Sequence, residues 1–394
     1  MFERHARTRV LRLARGFPVV VLTGPRQSGK TTLARAAFPG HAYVSLEDPD
    51  VRERVAADPR GFLSQHRGGL LIDEVQRVPA LLSYLQTAVD SGSGMGRVVL
   101  TGSQNLLLSA AVSQSLAGRA GYLELLPLAY AEAHAVFDAL SLDEWLVAGA
   151  YPALHARDVA HADWHASYIA TYVERDVRQI SRIADLLHFQ RFMRLMAART
   201  GQMLNLNAVA NDLGIAQTTA RDWLAVLESS YITFRLPPYH GNFGKRLVKT
   251  PKLYFHDTGI AAWLLGIKKA EAMAIHPMRG ALFENMLVAE YLKYLKYLRH
   301  HGVAHSIHFW RDNTGNEVDL LIDRAGELWP VEMKSGATMQ RDWLRGLHTW
   351  QRHAAAARQG VPMLISAAPG NFSYEGVAVA HWRDALRGLV PQPV

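Results

Sequence analysis

The densest chemistry lies in the run Gly24-Pro25-Arg26-Gln27-Ser28-Gly29-Lys30-Thr31-Thr32, a complete G-x-x-x-x-G-K-[ST] pattern. Glycines at both ends let the backbone curl until its N–H groups converge on an anion. Lys30 then reaches the β and γ oxygens of a nucleotide, and the Thr31 hydroxyl is placed to ligate Mg²⁺. ATP and Mg²⁺ are the expected ligands, with Gly24 to Thr32 as the contact residues. The matching acids are Asp73 and Glu74, which end the apolar run Gly69-Leu70-Leu71-Ile72. Asp73 is expected to hold the metal, and Glu74 to orient or deprotonate the attacking water. Ser103 or Gln104, after the apolar Arg97 to Thr101, can sense the γ-phosphate; residue type does not decide between them. Arg119 is either an arginine finger supplied to a neighbouring subunit of a homo-oligomer or an ordinary surface arginine.

A second constellation lies near the end of the chain, where Asp319 precedes Glu332-Met333-Lys334. A turn centred near Ala325 sets the two acids nearly opposite each other on a hairpin. Glu332 and Lys334 share a face because strand side chains alternate. Two carboxylates can hold Mg²⁺, with Lys334 beside them to polarise a water or stabilise phosphorane charge. Glu284, on the preceding helix, can complete the set. Buried acids beside a lysine are costly unless paired, so this is a site or a tight ion network. Cleavage of DNA, binding without cleavage, and a scaffold role all remain open. The closely spaced His300, His301, His305 and His308 do not keep a register suited to a metal.

A third pattern reads as helix-turn-helix. Asn207 to Leu213 forms a short helix, Gly214 to Ala216 a turn, and Gln217 to Glu228 a second helix. Ile215, Ala220, Trp223, Leu224 and Leu227 share the apolar face, leaving Thr218, Thr219 and Arg221 outward. Tyr231 to Arg235 and Lys252 to Phe255 can pair as a hairpin that carries Lys245, Arg246 and Lys249. No acid occurs from Ser229 to Phe255, so positive charge gathers from Lys245 to Lys252. DNA is the expected partner of Thr218, Thr219, Arg221, Lys245, Arg246 and Lys249. Contact with another protein is the alternative for the same fold.

Elements must position these groups. Phe17 to Leu22 is an apolar strand that feeds the glycine loop, and Leu33 to Ala37 continues the loop as a helix. In the last third, a helix from Met278 to Arg299 precedes three strand-like runs, a helix near Gln340 to Ala357 and a strand ending at Ile365. The whole has 394 residues, enough for two to three domains at about 150 residues each. With 49% hydrophobic and 20% charged residues, a disordered or low-complexity chain is excluded. No run approaches the roughly 18 apolar residues of a membrane span. Arg4, Arg7, Arg9, Arg12 and Arg15 precede Phe17 to Leu22, but that stretch is too short for a signal peptide. With Cys 0, disulfides and thiolate zinc sites are excluded, and a cytoplasmic protein is expected. A net charge of +8 permits nucleic-acid binding without requiring it.

Gly24 to Thr32, Leu71 to Glu74, Leu100 to Gln104 and Ser115 to Arg119 together resemble the AAA+ superfamily. More closely, the chain resembles prokaryotic AAA-type ATPases with a C-terminal domain of unknown function. Gly149-Ala150-Tyr151-Pro152, Tyr172 to Val177, Pro251 to Gly259 and Gly280 to Asn285 extend that resemblance. Asp319, Glu332 and Lys334 resemble the PD-(D/E)xK signature of restriction-endonuclease-like folds. The implied class is α/β: a P-loop AAA+ parallel sheet over 1–140, an all-helical winged-helix region over 141–275 (the winged helix at about 204–256), and an α/β restriction-endonuclease-like domain over 276–394. The implied function is Mg-dependent ATP hydrolysis that remodels or translocates DNA, with nicking as an added possibility. A nucleotide-dependent oligomeric switch contacting protein partners, with a non-catalytic nuclease-like domain, is the other reading.

Overall fold

The computed structural model describes residues 2–66, 68–92, 94–103, 116–172, 185–239, 249–298 and 305–389. They divide into two compact units, the first spanning 1–128 with 151–153 and 229–231, the second holding the remainder.

The first unit is built on five parallel strands: β1 (Val19–Thr23), β2 (His41–Ser45), β3 (Gly69–Asp73), β4 (Val98–Gly102) and β5 (Ala120–Glu124). Their order across the sheet is β2-β3-β4-β1-β5. Every residue of β1 and β4 is buried, which accounts for their unbroken apolar runs. β4 lies between β1 and β3, as the polar residue at its end requires if it is to stand between the loop and the acids. Helix α1 (Ala6–Gly16) precedes the first strand, and the crossovers use α2 (Lys30–Ala37), α3 (Pro49–Ala57), α4 (Pro59–Gln65) and α5 (Leu81–Asp90). Phe62, Leu81, Leu82 and Leu85 from these helices meet Val19, Val21, Ile72 and Leu100 of the sheet in one core. Each such side chain contributes about 1.5–3 kcal/mol of burial.

The second unit opens with helices α6 (Leu142–Ala148), α7 (His161–Thr171), α8 (Leu186–Ala197), α9 (Leu206–Leu213) and α10 (Gln217–Ser229). β6 (Thr233–Leu236) and β7 (Lys252–Phe255) then pair antiparallel, Thr233 opposite Phe255. After α11 (Thr258–Leu264) and the twenty-residue α12 (Arg279–Leu298) comes a mixed sheet. It contains β8 (His305–Arg311), β9 (Glu317–Arg324), β10 (Glu327–Lys334), β11 (Arg358–Gln359), β12 (Met363–Ser366), β13 (Phe372–Tyr374) and β14 (Val377–His381). The order is β13-β14-β12-β10-β9-β8, with β11 beside β10. Helix α13 (Arg345–His353) buries Leu347 and Trp350 against Trp310, Val318 and Leu321 of the sheet. Helix α14 (Trp382–Arg387) follows β14 and buries Trp382 and Leu386. The helical region and the sheet share this unit, since Tyr239 N–H donates to Phe309 O at 2.7 Å.

The phrases shared with the resembled family meet each other. Asp257 caps α11 by accepting from Ile260 N–H at 3.0 Å, and also accepts from Ala150 N–H at 2.6 Å. A Cβ on Gly149 would fall 2.3 Å from the Asp257 carboxylate, so only glycine fits there. Asn285, fully buried on α12, accepts from Phe255 N–H at 2.7 Å and donates to Phe255 O at 2.8 Å. It thereby satisfies the edge of β7 at Phe255, while Gly201 N–H and Gln202 O meet Leu253 on the same strand.

Candidate functional site

The loop leaves β1 at Thr23 and re-enters regular structure at Lys30, the first residue of α2. At Gly24, φ is +143° and a Cβ would lie 2.1 Å from Leu125 O, so the first glycine of the motif is required by the backbone. Lys30 is buried and its ammonium donates to Gly24 O at 2.9 Å and Pro25 O at 2.7 Å. The cation is thus folded along the concave loop in which Pro25, Arg26, Gln27, Ser28 and Gly29 present backbone.

Asp73 ends β3 beside this loop. Its Oδ2 accepts from Thr31 Oγ1 at 2.9 Å and from Tyr43 Oη at 2.9 Å, while Thr101 donates to Oδ1. Burial, then the neighbouring Asp73 carboxylate, pushes the Tyr43 phenol up to about 12. Thr31 and Asp73 are hard oxygen donors within hydrogen-bond distance of each other, a set that fits Mg²⁺. Glu74 takes the left-handed backbone, φ +55°, and its Oε2 accepts from Ser103 Oγ at 3.2 Å and from Gln76. The structure therefore joins Lys30, Thr31, Asp73, Glu74 and Ser103 in one place. Gln104 lies outside the described residues, and Thr32 continues α2.

Arg119 stands apart. It precedes β5, whose Ala120 pairs with Val19 at the start of β1. Four strand steps of about 3.3 Å each separate that end from the loop. Its guanidinium grips Asp90 at 2.5 and 3.0 Å. It does not serve the loop of its own chain.

Sequence reasoning missed Arg4, Tyr43, Gln76 and Thr101. Each touches the loop or its acids through contacts 2 to 30 residues apart in sequence. A hydroxyl one residue before Gly102 at a strand end was the only local signal.

The second constellation also assembles. Ala325 and Gly326, both with positive φ, turn β9 into β10, and Leu320 pairs with Val331. One further step sets Asp319 opposite Glu332. Lys334 Nζ donates to Asp319 Oδ2 at 3.3 Å and also to Glu332, while Met333 N–H donates to Asp319 Oδ2 at 2.9 Å. Glu284 is held by Tyr254 Oη at 2.5 Å and by Lys252 Nζ at 2.9 Å. Lys252 also pairs with Glu317 at 2.5 Å. Lys252 is 2% exposed, so it does not add to an outward basic stretch as the acid-free sequence suggested; it neutralises a buried cluster instead. Burial, then Asp319, drives the Glu332 carboxyl well above the usual range, and its Oε2 is buried without a hydrogen-bond partner among the described residues. Burial pushes Asp319 up, but Lys334, Lys252 and the Met333 N–H outweigh it and hold it below. Burial likewise raises Glu284 against the pull of Lys252. Among the described residues no three histidine or acidic side chains are arranged to hold a metal.

On α10, Thr218 and Arg221 are exposed and Thr219 is half-buried. Ala220, Trp223, Leu224 and Leu227 are buried, the apolar face that the spacing predicts. Lys249 is exposed; Lys245 and Arg246 lie outside the described residues. No helix of the described residues is long and apolar enough to cross a membrane.

Against known families, residues 16–134 match an AAA domain. Residues 139–271 and 279–384 match two domains of unknown function, DUF8612 and DUF4143. Uncharacterized proteins of Mycobacterium tuberculosis and Mycobacterium bovis are 33% identical over 339 residues, 85% of this chain and 74% of theirs. Among solved structures, a Walker-type ATPase of Pyrococcus abyssi covers 67% of this chain and 96% of its own, at 15% identity and a TM-score of 0.44. A signal transduction ATPase with a tetratricopeptide repeat sensor from Pyrococcus horikoshii covers 76% and 47%, at 13% identity and a TM-score of 0.25. The parallel β2-β3-β4-β1-β5 sheet and the loop between β1 and α2 are the frame of an ATP-binding, ATP-hydrolysing domain. The chain belongs to the family of these mycobacterial proteins, and it joins an AAA-type P-loop ATPase domain to a C-terminal DUF4143.

Proposed function

We propose that the chain is a Mg²⁺-dependent ATPase that acts on DNA. One observation carries the ATP half: Thr31 of the loop lies 2.9 Å from Asp73, with Glu74 and Ser103 joined beside them. The loop N–H groups and Lys30, whose ammonium lies along the loop, bind the β- and γ-phosphates on this reading. Thr31 and Asp73 would hold the metal, which when bound supplies positive charge to the phosphate oxygens. Glu74 accepts a proton from the attacking water or orients it, and Ser103 ties that carboxylate to the strand end nearest the phosphates. Arg119 acts, on this reading, on the nucleotide of a second copy in a homo-oligomer. It must first release Asp90.

For the DNA half, the support is α9, the turn at Gly214, α10 and the β6–β7 pair, which we read as a winged helix. Thr218 and Arg221 face outward from its second helix, and Lys249 lies beside Lys245 and Arg246 in sequence. Duplex DNA should stimulate ATP turnover, and Lys245→Ala/Arg246→Ala/Lys249→Ala should lose most binding in an electrophoretic shift. Unchanged binding by that variant would remove the DNA assignment.

A second reading is favoured for the C-terminal sheet. Lys334 sits between Asp319 and Glu332, and Lys252 between Glu284 and Glu317. Ammonium groups of the protein already meet these acids, which favours a non-catalytic nuclease-like domain in a nucleotide-dependent switch. Mg²⁺- or Mn²⁺-dependent nicking that vanishes in Asp319→Ala and in Lys334→Ala would restore the nuclease reading.

A further inference from the structure

Of the five arginines near the start of the chain, Arg4 is 7% exposed, whereas Arg7 on the same segment is exposed. Arg4 Nη1 donates to Ser28 O at 2.6 Å, and Nη2 donates to Leu126 O at 2.7 Å. Ser28 precedes Gly29 in the phosphate loop. Leu126 follows β5, where the adjacent Leu125 N–H donates to Thr23 O at 2.7 Å. One guanidinium therefore ties the loop to the neighbouring edge of the sheet. A position one Cβ out from Gly29 would lie only 3.6 Å from Arg4 Nη1.

The consequence follows from peptide geometry. A trans peptide unit is planar, and its C=O and N–H point to opposite sides. With Ser28 O held by Arg4, the N–H of Gly29 is turned to the side away from the guanidinium, as one of the donors a phosphate can meet in such a loop. The guanidinium is a rigid fork, so two acceptors fix its plane as a point charge could not. The segment that carries it is itself anchored: Arg7 N–H donates to Arg4 O at 2.9 Å at the entry to α1.

We propose that Arg4 is a positioning residue of the nucleotide site, which presets the Gly29 N–H for the phosphate chain of a nucleoside di- or triphosphate. This rests on the ATPase reading. The donor it aims contacts bound phosphate in ground and transition states alike, so its loss weakens binding more than turnover at saturation.

The test is steady-state ATP hydrolysis together with calorimetric ADP binding on the full chain. In Arg4→Ala, KM for ATP and Kd for ADP should each rise about tenfold, with kcat within about twofold of wild type. Arg4→Lys, which keeps the charge but not the fork, should fall between. Arg7→Ala should match wild type. Millimolar guanidinium should lower the KM of Arg4→Ala and leave that of wild type unchanged, a rescue that a general loss of folding would not give. The proposal is overturned if Arg4→Ala keeps the wild-type KM and Kd. It is equally overturned if kcat falls with the melting temperature in both Arg4 variants while KM stays put. A wild-type chain that neither binds nor turns over ATP sinks the ATPase reading first, and this inference with it.

Discussion

Two regions of the molecule bring lysine and carboxylates together, and they treat the charge differently. At the phosphate loop, Lys30 is held by two backbone carbonyls, and Asp73 by the hydroxyls of Thr31, Tyr43 and Thr101. These named partners are neutral hydrogen-bonding groups. On the C-terminal sheet, Lys334 meets Asp319 and Glu332, and Lys252 meets Glu284 and Glu317. There two ammonium groups face four carboxyls and neutralise them in part. The first arrangement holds its lysine and its aspartate through neutral groups; the second is an ion network in which Glu332 Oε2 is left without a hydrogen bond among the described residues.

The largest effect should separate the two lysines. Lys30→Ala should lower ATP turnover by about 10³ or more in a coupled assay, because the lost charge meets the transferring phosphoryl group. Lys334→Ala should leave ATP turnover near wild type. Equal losses in both would break the comparison.

Next in size is the stability of the network. Lys252→Ala removes the cation shared by the half-buried Glu284 and Glu317, of which Glu317 keeps Arg311 at 2.9 Å, and costs about 3 kcal/mol in chemical denaturation. Adding Glu284→Gln should recover part of that loss, since it removes one of the stranded charges. No recovery would mean that Lys252 acts through packing alone.

Acid should act mainly on the second unit. Burial holds His165 and His256 down at about 3, below the ordinary value near 6.5. The unfolded chain therefore binds protons that the folded chain does not. This contribution is complete above about pH 6.5 and is lost as the pH falls toward 3, on the order of 2 kcal/mol per histidine at pH 5. Melting between pH 7 and pH 5 should show the drop, and His165→Gln/His256→Phe should flatten it. A slope unchanged in that variant would assign the acid sensitivity to other groups.

The smallest effect concerns α10. Arg221→Ala should weaken DNA binding by about 1 kcal/mol or more in a salt titration, with a slope reduced by roughly one ion if the contact is to phosphate. An unchanged slope and affinity would place α10 away from DNA.

Much of this was legible in sequence because it was local. The glycine loop between an apolar strand and a helix, the acids closing β3, and the Asp319–Glu332 register set by a tight turn each need only a short window. The helix-turn-helix followed from the spacing of Ala220, Trp223, Leu224 and Leu227. What stayed hidden was long-range. Arg4 reaches Leu126 across 122 residues, Tyr43 reaches Asp73 across 30, and Lys252 reaches Glu284 across 32. No periodicity encodes such contacts. Lys252 was misleading for that reason: a lysine in an acid-free run looks solvent-facing until the fold brings the acids of α12 and β9 to it.

The central claim is that the phosphate loop hydrolyses ATP and the helix-turn-helix region links that work to DNA. The direct measurement is ATP turnover of wild type and Lys30→Ala in Mg²⁺, with and without duplex DNA, the DNA being checked for nicks in the same tubes. Turnover in wild type should rise with DNA and be absent in Lys30→Ala, with the DNA intact throughout. Turnover that persists in Lys30→Ala, or that ignores DNA, contradicts the claim.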